Sequence, residues 1–298
     1  MARPADRERP APPPSAPAYR PLTGRAETRT GTEKNMLDDA GRRKAAEALS
    51  TAEESRIPVP PLRRTWPAID TDDAYAVQLL GIERRRRRGA RVVGHKVGLS
   101  SPVMQRMMGV GEPDYGHLLD DMALHQDTPV DLSRYCAPRI EVEVAFLLGA
   151  DLPGEGCTVA DVLAATEALA PAVELIDSRI RDWDIGIADT VADNASSAGF
   201  VLGASRVAPG RVDRCAVTAV LHGADGAELA RGRADAVLGD PARAVAWLAR
   251  KVAAFGVRLR AGHVVLPGSC TRAVDLAPAT TYRAVFGAGL GEVTLRTR

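Results

Sequence analysis

The sequence predicts an α+β domain built on a mixed, curled β-sheet, with a helical segment at its N-terminal side. Segments with the length and β-branched content of strands outnumber helical ones, and strands and helices do not alternate regularly. A doubly wound fold needs that alternation and is therefore disfavoured. With 298 residues, of which 45% are hydrophobic, the chain can bury a large core.

Composition divides the chain into three regions. Residues 1–35 contain seven of the 21 prolines and few apolar side chains, so we expect a disordered tail. Residues 36–90 are predicted to form a helical segment. Residues 91–298 contain the predicted strands and are expected to form the catalytic domain.

The helical segment should contain one helix after Met36 and a second from about Asp72 to Arg88, ended by Gly89. Five consecutive arginines, Arg84 to Arg88, form its last turn. Such a run can bind nucleic acid, but cations also stabilise a helix C-terminus, and no aromatic residues interrupt the run. We therefore interpret it as a solvated helix end and expect no nucleic-acid partner.

The remaining elements are predicted from apolar periodicity and from start and stop residues. A strand at 91–99 precedes a short helix that Ser101 caps and Gly109 ends, and a polar loop follows at 109–122. Further strands are expected at 140–148, 172–176, 263–273, 281–286 and 292–296. Helices are expected from Thr158 to Pro171 and from Asp240 to Gly256, and a polar loop that leads into an apolar strand at 189–203.

Two glutamates, Glu141 and Glu143, interrupt the apolar strand at 140–148. Residues two apart on a strand share a face, so both carboxylates point to one side, and Ala145 and Leu147 extend that side with apolar groups. An antiparallel strand with one solvated face gives a similar pattern. A third acid in an apolar run, Glu174, favours a buried site in which three carboxylates bind a divalent cation such as Mg²⁺.

Several other residues are candidates for chemistry. Lys96 lies among valines, where its charge is costly unless it faces acids or a cavity; a lysine at the strand's edge is the alternative. Asp114, Tyr115 and His117 are candidates for general acid or base, with Asp114 preferred, although Pro-Asp and Gly also form ordinary turns. Gly268 and Ser269 can offer an N–H and a hydroxyl to an anionic oxygen.

Bulk properties exclude several classes of protein. A net charge of +1 gives no general attraction to nucleic acid or membrane. Four scattered cysteines lack the spacing of a zinc site or a disulfide framework, which favours a reduced cytoplasm. No apolar run approaches the length of a membrane span.

Six ordered blocks resemble the 2-keto-4-pentenoate hydratase family, within the fumarylacetoacetate hydrolase superfamily. They are GHKVGLSS, GVGEPDYGHLLDDM, PRIEVEVAFLLGADL, PAVELIDSRIRDW, DTVADNASSAGFVLG and VLPGSCTRA. That family includes 2-oxohept-4-ene-1,7-dioate hydratase and 4-oxalocrotonate decarboxylase. Among its members the chain most resembles the actinobacterial 2-hydroxyhexa-2,4-dienoate hydratase of steroid-ring degradation.

The resemblance implies a barrel-like core and a metal-dependent hydratase of aromatic or steroid catabolism. It implies Mg²⁺ or Mn²⁺ bound by Glu141, Glu143 and Glu174, and catalytic roles for Lys96 and Asp114. Substrate contacts are expected from Leu99, Gly268 and Ser269. A 2-hydroxy-2,4-dienoate would bind to the metal through a carboxylate oxygen and its 2-oxygen and gain water at C4. The resemblance also implies a homo-oligomer, with a following aldolase as a potential partner.

Three other functions fit the same residues, the third being hydrolysis of a C–C bond, as in fumarylacetoacetate hydrolase itself. A 2-oxo-3-enedioate decarboxylase would use the same metal, but it must also recognise a second carboxylate, for which Arg272 is a candidate. A noncatalytic subunit that steadies a pathway enzyme would not need its acids to bind metal.

Overall fold

The computed structural model describes residues 37–298, so the predicted tail at 1–35 lies outside the described residues. The helical segment contains three helices, α1 (Asp39–Ser55), α2 (Leu62–Thr65) and α3 (Thr71–Arg87). Asp73 in the first turn of α3 is fully buried, and its Oδ1 lies 2.7 Å from Nη2 of Arg42 on α1. This ion pair joins the two long helices.

The arginines at the end of α3 are engaged by neighbouring acids. Arg84 and Arg88 both contact Oε1 of Glu54 on α1, at 3.0 Å and 2.7 Å, and Arg85 contacts Asp121 at 2.7 Å. These partly exposed ion pairs agree with the predicted solvated helix end.

The strands form two sheets. They are β1 (Val92–Gly98), β2 (Asp114–Leu119), β3 (Arg139–Leu148), β4 (Thr166–Ile176), β5 (Ser197–Leu202), β6 (Thr218–His222), β7 (Glu228–Arg233), β8 (Val264–Leu266), β9 (Val274–Asp275), β10 (Thr281–Phe286) and β11 (Gly291–Arg296). The larger sheet has the order β2-β1-β8-β3-β4-β5, with β9 also pairing with β3, and the smaller has the order β11-β10-β6-β7. Among the strands of residues 37–298 only β1 and β8 pair in parallel, so the predicted mixed sheet is confirmed.

Both faces of the larger sheet are covered by packed apolar side chains. Ile140, Val142, Val144 and Phe146 on β3 are fully buried in the main core. The opposite face of β3 and β4 packs Ala145, Ala170 and Ala172 into a second apolar cluster with Leu266 and Phe200. The face that carries Glu141 and Glu143 is therefore dry, as the sequence predicts.

Four more helices surround the sheets: α4 (Pro102–Met108), α5 (Val159–Ala165), α6 (Ile187–Ala192) and α7 (Pro241–Ala253). Ser101 caps α4 and Gly109 ends it with φ +66°, and Asp240 caps α7. No helix of residues 37–298 has both the length and the apolar composition needed to cross a membrane.

Two predicted element boundaries are wrong. The helix expected to end at Pro171 is α5, which ends at Ala165, and Pro171 lies inside β4. Proline is tolerated there because the pairing of β4 with β5 begins only at Ala172. The polar loop expected at 109–122 contains β2, whose six residues are all buried.

Candidate metal centre and active site

Three carboxylates converge on the dry face of the larger sheet. Glu141 on β3 lies directly opposite Glu174 on β4 in the antiparallel pairing, and Glu143 follows two residues later on the same face as Glu141. One oxygen from each lies within 4.8 Å of the others. Glu143 and Glu174 are fully buried. The register of two strands therefore brings together the three acids that the sequence predicted as ligands.

The surroundings of these carboxylates disfavour their negative charge. Burial raises the pKa of Glu141 to about 7, where the nearby Lys96 opposes it and Glu174 adds to it. Burial and the charges of Glu174 and Glu141 raise the pKa of Glu143 well above its ordinary range. The pKa of Glu174 is also raised by burial, although Lys96 limits the rise.

The donor set fits a hard divalent cation. Oε2 of Glu143 accepts a hydrogen bond of 2.8 Å from the Gly268 N–H, whereas its buried Oε1 has no hydrogen-bond partner among residues 37–298. A buried carboxylate oxygen without a partner is costly. Three carboxylates with oxygens this close together offer the oxygen ligands that Mg²⁺ or Mn²⁺ prefers.

Lys96 on β1 is buried beside the acids. Its Nζ lies 3.4 Å from Oε2 of Glu174. Burial alone would lower the pKa of Lys96, but the neighbouring carboxylates, with Glu174 first, raise it overall. Lys96 therefore faces the acids, and the alternative of a lysine that reaches solvent at the edge of the strand is excluded. Beside these acids Lys96 keeps its proton, so the lowered pKa of a proton-shuttling lysine is not found here.

Asp114, the first residue of β2, lies opposite Gly98 at the end of β1. It is buried, and this burial raises its pKa to about 6, although Lys96 opposes the rise. A Cβ on Gly98 would lie 2.1 Å from Oδ1 of Asp114. The missing side chain of Gly98 therefore leaves the space that the Asp114 carboxylate occupies.

The three predicted substrate contacts lie near the same acids. Leu99 and Ser269 line the cavity described below, and Leu99 has φ +51°, a rare conformation for leucine. Gly268 has φ +128°, and a Cβ there would lie 2.0 Å from Oγ of Ser100. The Gly268 N–H donates to Glu143, and the Ser269 hydroxyl donates to the Thr271 carbonyl at 2.9 Å. The Gly268 N–H and the Ser269 hydroxyl therefore both donate hydrogen bonds to oxygen atoms of the protein itself.

Tyr115 and His117 do not join this site, unlike Asp114. Side chains alternate along β2, and these two lie on the opposite face, where His117 contacts His95 with ring centroids 4.8 Å apart. Burial lowers the pKa of His117 to about 4, so its ring is neutral near pH 7. His95 is fully buried in the same ring cluster.

A cavity of about 100 Å³ opens at the acids. Lys96, Asp114, Glu141, Leu99 and Ser269 line it. The sequence did not single out its other lining residues, which include Ser100, Met104, Met108, Ile176, Trp183, Ile185, Thr190, Ala195 and Ser196. Apolar side chains and single hydroxyl groups carry no specific chemical signature in a sequence, which is why these residues were not predicted.

Known proteins are similar to this chain in sequence. Residues 112–296 match the fumarylacetoacetate (FAA) hydrolase C-terminal family. A 2-keto-4-pentenoate hydratase of Burkholderia vietnamiensis is 44% identical over 260 residues, which cover 87% of this chain and 98% of the relative. The chain belongs to the 2-keto-4-pentenoate hydratase family, within the fumarylacetoacetate hydrolase superfamily. The predicted family and its fold are confirmed.

Two further members of the family differ in their reported activity. A 2-hydroxyhexa-2,4-dienoate hydratase of Comamonas testosteroni is 39% identical and covers 89% of this chain and 98% of its own. The structure of 4-oxalocrotonate decarboxylase from Pseudomonas putida G7, complexed with magnesium and adipate, has a TM-score of 0.83 and 35% identity. It covers 88% of this chain and 99% of its own. Family membership alone therefore spans hydration and decarboxylation.

Proposed function

We propose that the chain is a hydro-lyase that adds water to a 2-hydroxy-2,4-dienoate and releases a 4-hydroxy-2-oxo acid. The observation that carries the proposal is the convergence of three carboxylates beside a cavity that Lys96, Asp114 and one of the acids, Glu141, line. The 44% identity to a 2-keto-4-pentenoate hydratase supports the reaction class.

In this proposal Glu141, Glu143 and Glu174 hold Mg²⁺, with Mn²⁺ as an alternative. Their hard oxygen donors and the unpartnered buried oxygen of Glu143 support this choice. When bound there, a divalent cation supplies Lewis-acid stabilisation of negative charge on the substrate's 2-oxygen.

Asp114 transfers the protons, and Lys96 binds the substrate. In the first step the substrate loses its 2-hydroxyl proton and gains one at C5; in the second, water gives its hydroxyl to C4 and a proton to C3. Asp114, whose pKa of about 6 lies near neutrality, exchanges protons with the water and the carbon chain. The Lys96 ammonium, held beside Glu174, donates hydrogen bonds to the anionic substrate.

The test is turnover of 2-hydroxypenta-2,4-dienoate, followed by loss of dienoate absorbance and identification of the product. The protein is first stripped of metal and then supplied with Mg²⁺ or Mn²⁺. We expect activity only with the cation. Absence of turnover under both conditions would contradict the proposal and favour a noncatalytic subunit.

A second candidate, decarboxylation of a 2-oxo-3-enedioate, is favoured by the likeness to 4-oxalocrotonate decarboxylase. The same assay with that diacid distinguishes the two functions. Release of CO₂ faster than water addition to the dienoate would make decarboxylation the principal activity.

The proposal also covers the location, the oligomeric state and the pathway of the enzyme. We place the enzyme in the cytoplasm as a homo-oligomer that acts on the products of aromatic or steroid ring cleavage. Its product is a 4-hydroxy-2-oxo acid, which an aldolase can split, so an aldolase is the expected next enzyme. Sedimentation analysis of the purified protein tests the oligomer, and a single-chain mass would contradict it.

A further inference from the structure

The lining of the cavity contains a charged group and an apolar group of side chains, besides the hydroxyl side chains of Ser100, Thr190, Ser196 and Ser269. Lys96, Asp114 and Glu141 form a charged group at the acids. Met104, Met108, Ile176, Trp183 and Ile185 form an apolar group, contributed by α4, the end of β4 and the connection that follows it. Ile176 lies two residues beyond Glu174 on the same strand face, so the apolar group begins next to the acids and extends away from them.

Trp183 lies towards the same end of the sheet. The guanidinium of Arg139 is 4.5 Å from the centre of the Trp183 ring, and Arg139 pairs with Ile176 across β3 and β4. A ligand held at the acids by its carboxylate end would therefore extend its other end towards Ile176 and Trp183.

Positive charge is scarce in this lining. In the part of the chain that the structure describes, Lys96 is the only cationic residue of the lining, and it pairs with Glu174. Arg139 is held by Asp275 at 2.7 Å as well as by Trp183. Arg272, the candidate for binding a second carboxylate, is exposed, donates to the Leu229 carbonyl and does not line the cavity.

We infer that the substrate carries a single carboxylate and a short, uncharged alkyl end, and that Met104 and Met108 set the length of that end. This inference rests on the proposed function and narrows its substrate class. A second carboxylate placed among these half-buried apolar side chains would lose part of its hydration without gaining a cationic partner. A methyl group or a hydrogen atom in the same place has no charge, so its transfer from water to this site carries no such cost.

The two methionines are suited to this task. They are four residues apart on α4, so both contact the same side of the cavity. A methionine side chain is flexible and adapts to ligands of slightly different length. Met107 on the same helix is 81% exposed and outside the lining, so it provides a matched control.

The first experiment compares binding of two ligands that differ only in the distal carboxylate. Calorimetry in the presence of Mg²⁺ measures the dissociation constants of 2-oxohexanoate and 2-oxoadipate. We expect the monocarboxylate to bind more tightly by about tenfold or more. Equal or tighter binding of 2-oxoadipate would overturn the inference, whatever reaction the protein catalyses.

The second experiment measures kcat/KM for 2-hydroxypenta-2,4-dienoate, its six-carbon methyl homologue and 2-hydroxyhepta-2,4-diene-1,7-dioate. Both monoacids should exceed the diacid by about 100-fold. Met108→Ala and Met104→Ala should shift the preference towards the longer monoacid by about tenfold, since a methylene changes discrimination by that order. Met107→Ala should leave the ratio unchanged.

The outcomes distinguish a wrong substrate class from a wrong hydratase function. If the diacid is hydrated as well as the monoacids, the inference is wrong and the hydratase function stands. If Met107→Ala shifts the ratio as much as Met108→Ala, the assignment of the two methionines is wrong. Failure to hydrate any of the three compounds overturns the proposed function and this inference together.

Discussion

Glu143 lies in surroundings that strongly disfavour a negative charge. It is fully buried between two other acids, and one of its oxygens has no hydrogen-bond partner within residues 37–298. Such an arrangement is unfavourable for a protein that acts without a cation, because each ionised carboxylate repels the others. The residue therefore gives the sharpest test of the proposed metal site.

We predict that Glu143→Gln abolishes metal binding and lowers kcat by about 1,000-fold or more, because one ligand and its charge are lost. The metal-free variant should unfold at the same temperature as the parent or higher, since a costly buried charge has been removed. Calorimetry with Mg²⁺ and thermal unfolding measure both effects. Glu167→Gln, at the exposed start of β4, is the control and should change neither. Normal Mg²⁺ affinity in the Glu143 variant would refute the ligand assignment.

The raised pKa of Glu141 predicts a pH dependence of metal affinity. Its carboxyl has a pKa of about 7, so below pH 7 a proton must leave before a cation can bind. Affinity should be greatest above pH 7 and should fall as the pH decreases, by up to about tenfold per pH unit for each proton displaced. Calorimetry between pH 8 and pH 6, in buffers with different ionisation enthalpies, measures the affinity and the released proton. A constant dissociation constant across that range would contradict the prediction.

At the scale of single residues, the sequence allowed the chemistry to be predicted better than the packing. Charged residues in apolar strands, such as Lys96 and Glu174, are costly enough to be noticed without a structure. Met104 and Trp183 line the cavity only because of tertiary contacts, which composition does not reveal. The assignment of roles to individual site residues stays a prediction.

Among the elements, the pair β1 and β2 depends on a glycine. Gly98 faces Asp114 across the two strands and leaves room for its carboxylate. We predict that Gly98→Ala displaces Asp114 and lowers kcat/KM by about 100-fold. Mg²⁺ affinity should be nearly unchanged, because the three proposed ligands lie on β3 and β4.

Gly81 on α3 is the matched control for that change. A Cβ at Gly81 would contact no atom within 4 Å, so Gly81→Ala should keep full activity. It should also stabilise the protein by up to about 1 kcal/mol, because alanine favours a helix. Steady-state kinetics and denaturant unfolding of both variants provide the comparison. Equal activity of Gly98→Ala and the parent would show that Asp114 does not need its present position.

Element prediction succeeded where periodicity was strong and failed where single residues misled it. The acid-bearing strand and the helices that start at Pro102 and Pro241 were predicted close to their observed limits. Pro171 was predicted to end a helix because proline usually breaks regular structure. It lies instead inside β4, next to the residue at which the pairing of β4 with β5 begins. The glycines and aspartates of 109–122 concealed β2, whose YGHLL run is the signal that was overlooked.

For the whole molecule, the acids couple metal binding to folding. An unfolded chain does not bring the three carboxylates together, so a cation bound only by the folded protein stabilises it. At 100 times its dissociation constant, Mg²⁺ should add about 2.7 kcal/mol to the free energy of unfolding and raise Tm by several degrees. Thermal unfolding with and without Mg²⁺ measures this gain. An unchanged Tm at saturating Mg²⁺ would contradict the prediction, and Glu143→Gln should remove the gain.

All three acids belong to one pair of neighbouring strands, and this has a consequence for how the family can vary. The spacing between the carboxylates is fixed by the backbone ladder of β3 and β4, whereas the chain between those strands runs from 149 to 165 outside the sheet. Residues can be gained or lost in that connection without moving a single acid. In contrast, loss of the residue between Glu141 and Glu143 would turn one of these glutamates to the other face of the sheet, and the three carboxylates could no longer meet. Insertions and deletions in descendants of this chain should therefore avoid the ladder and accumulate in the connection.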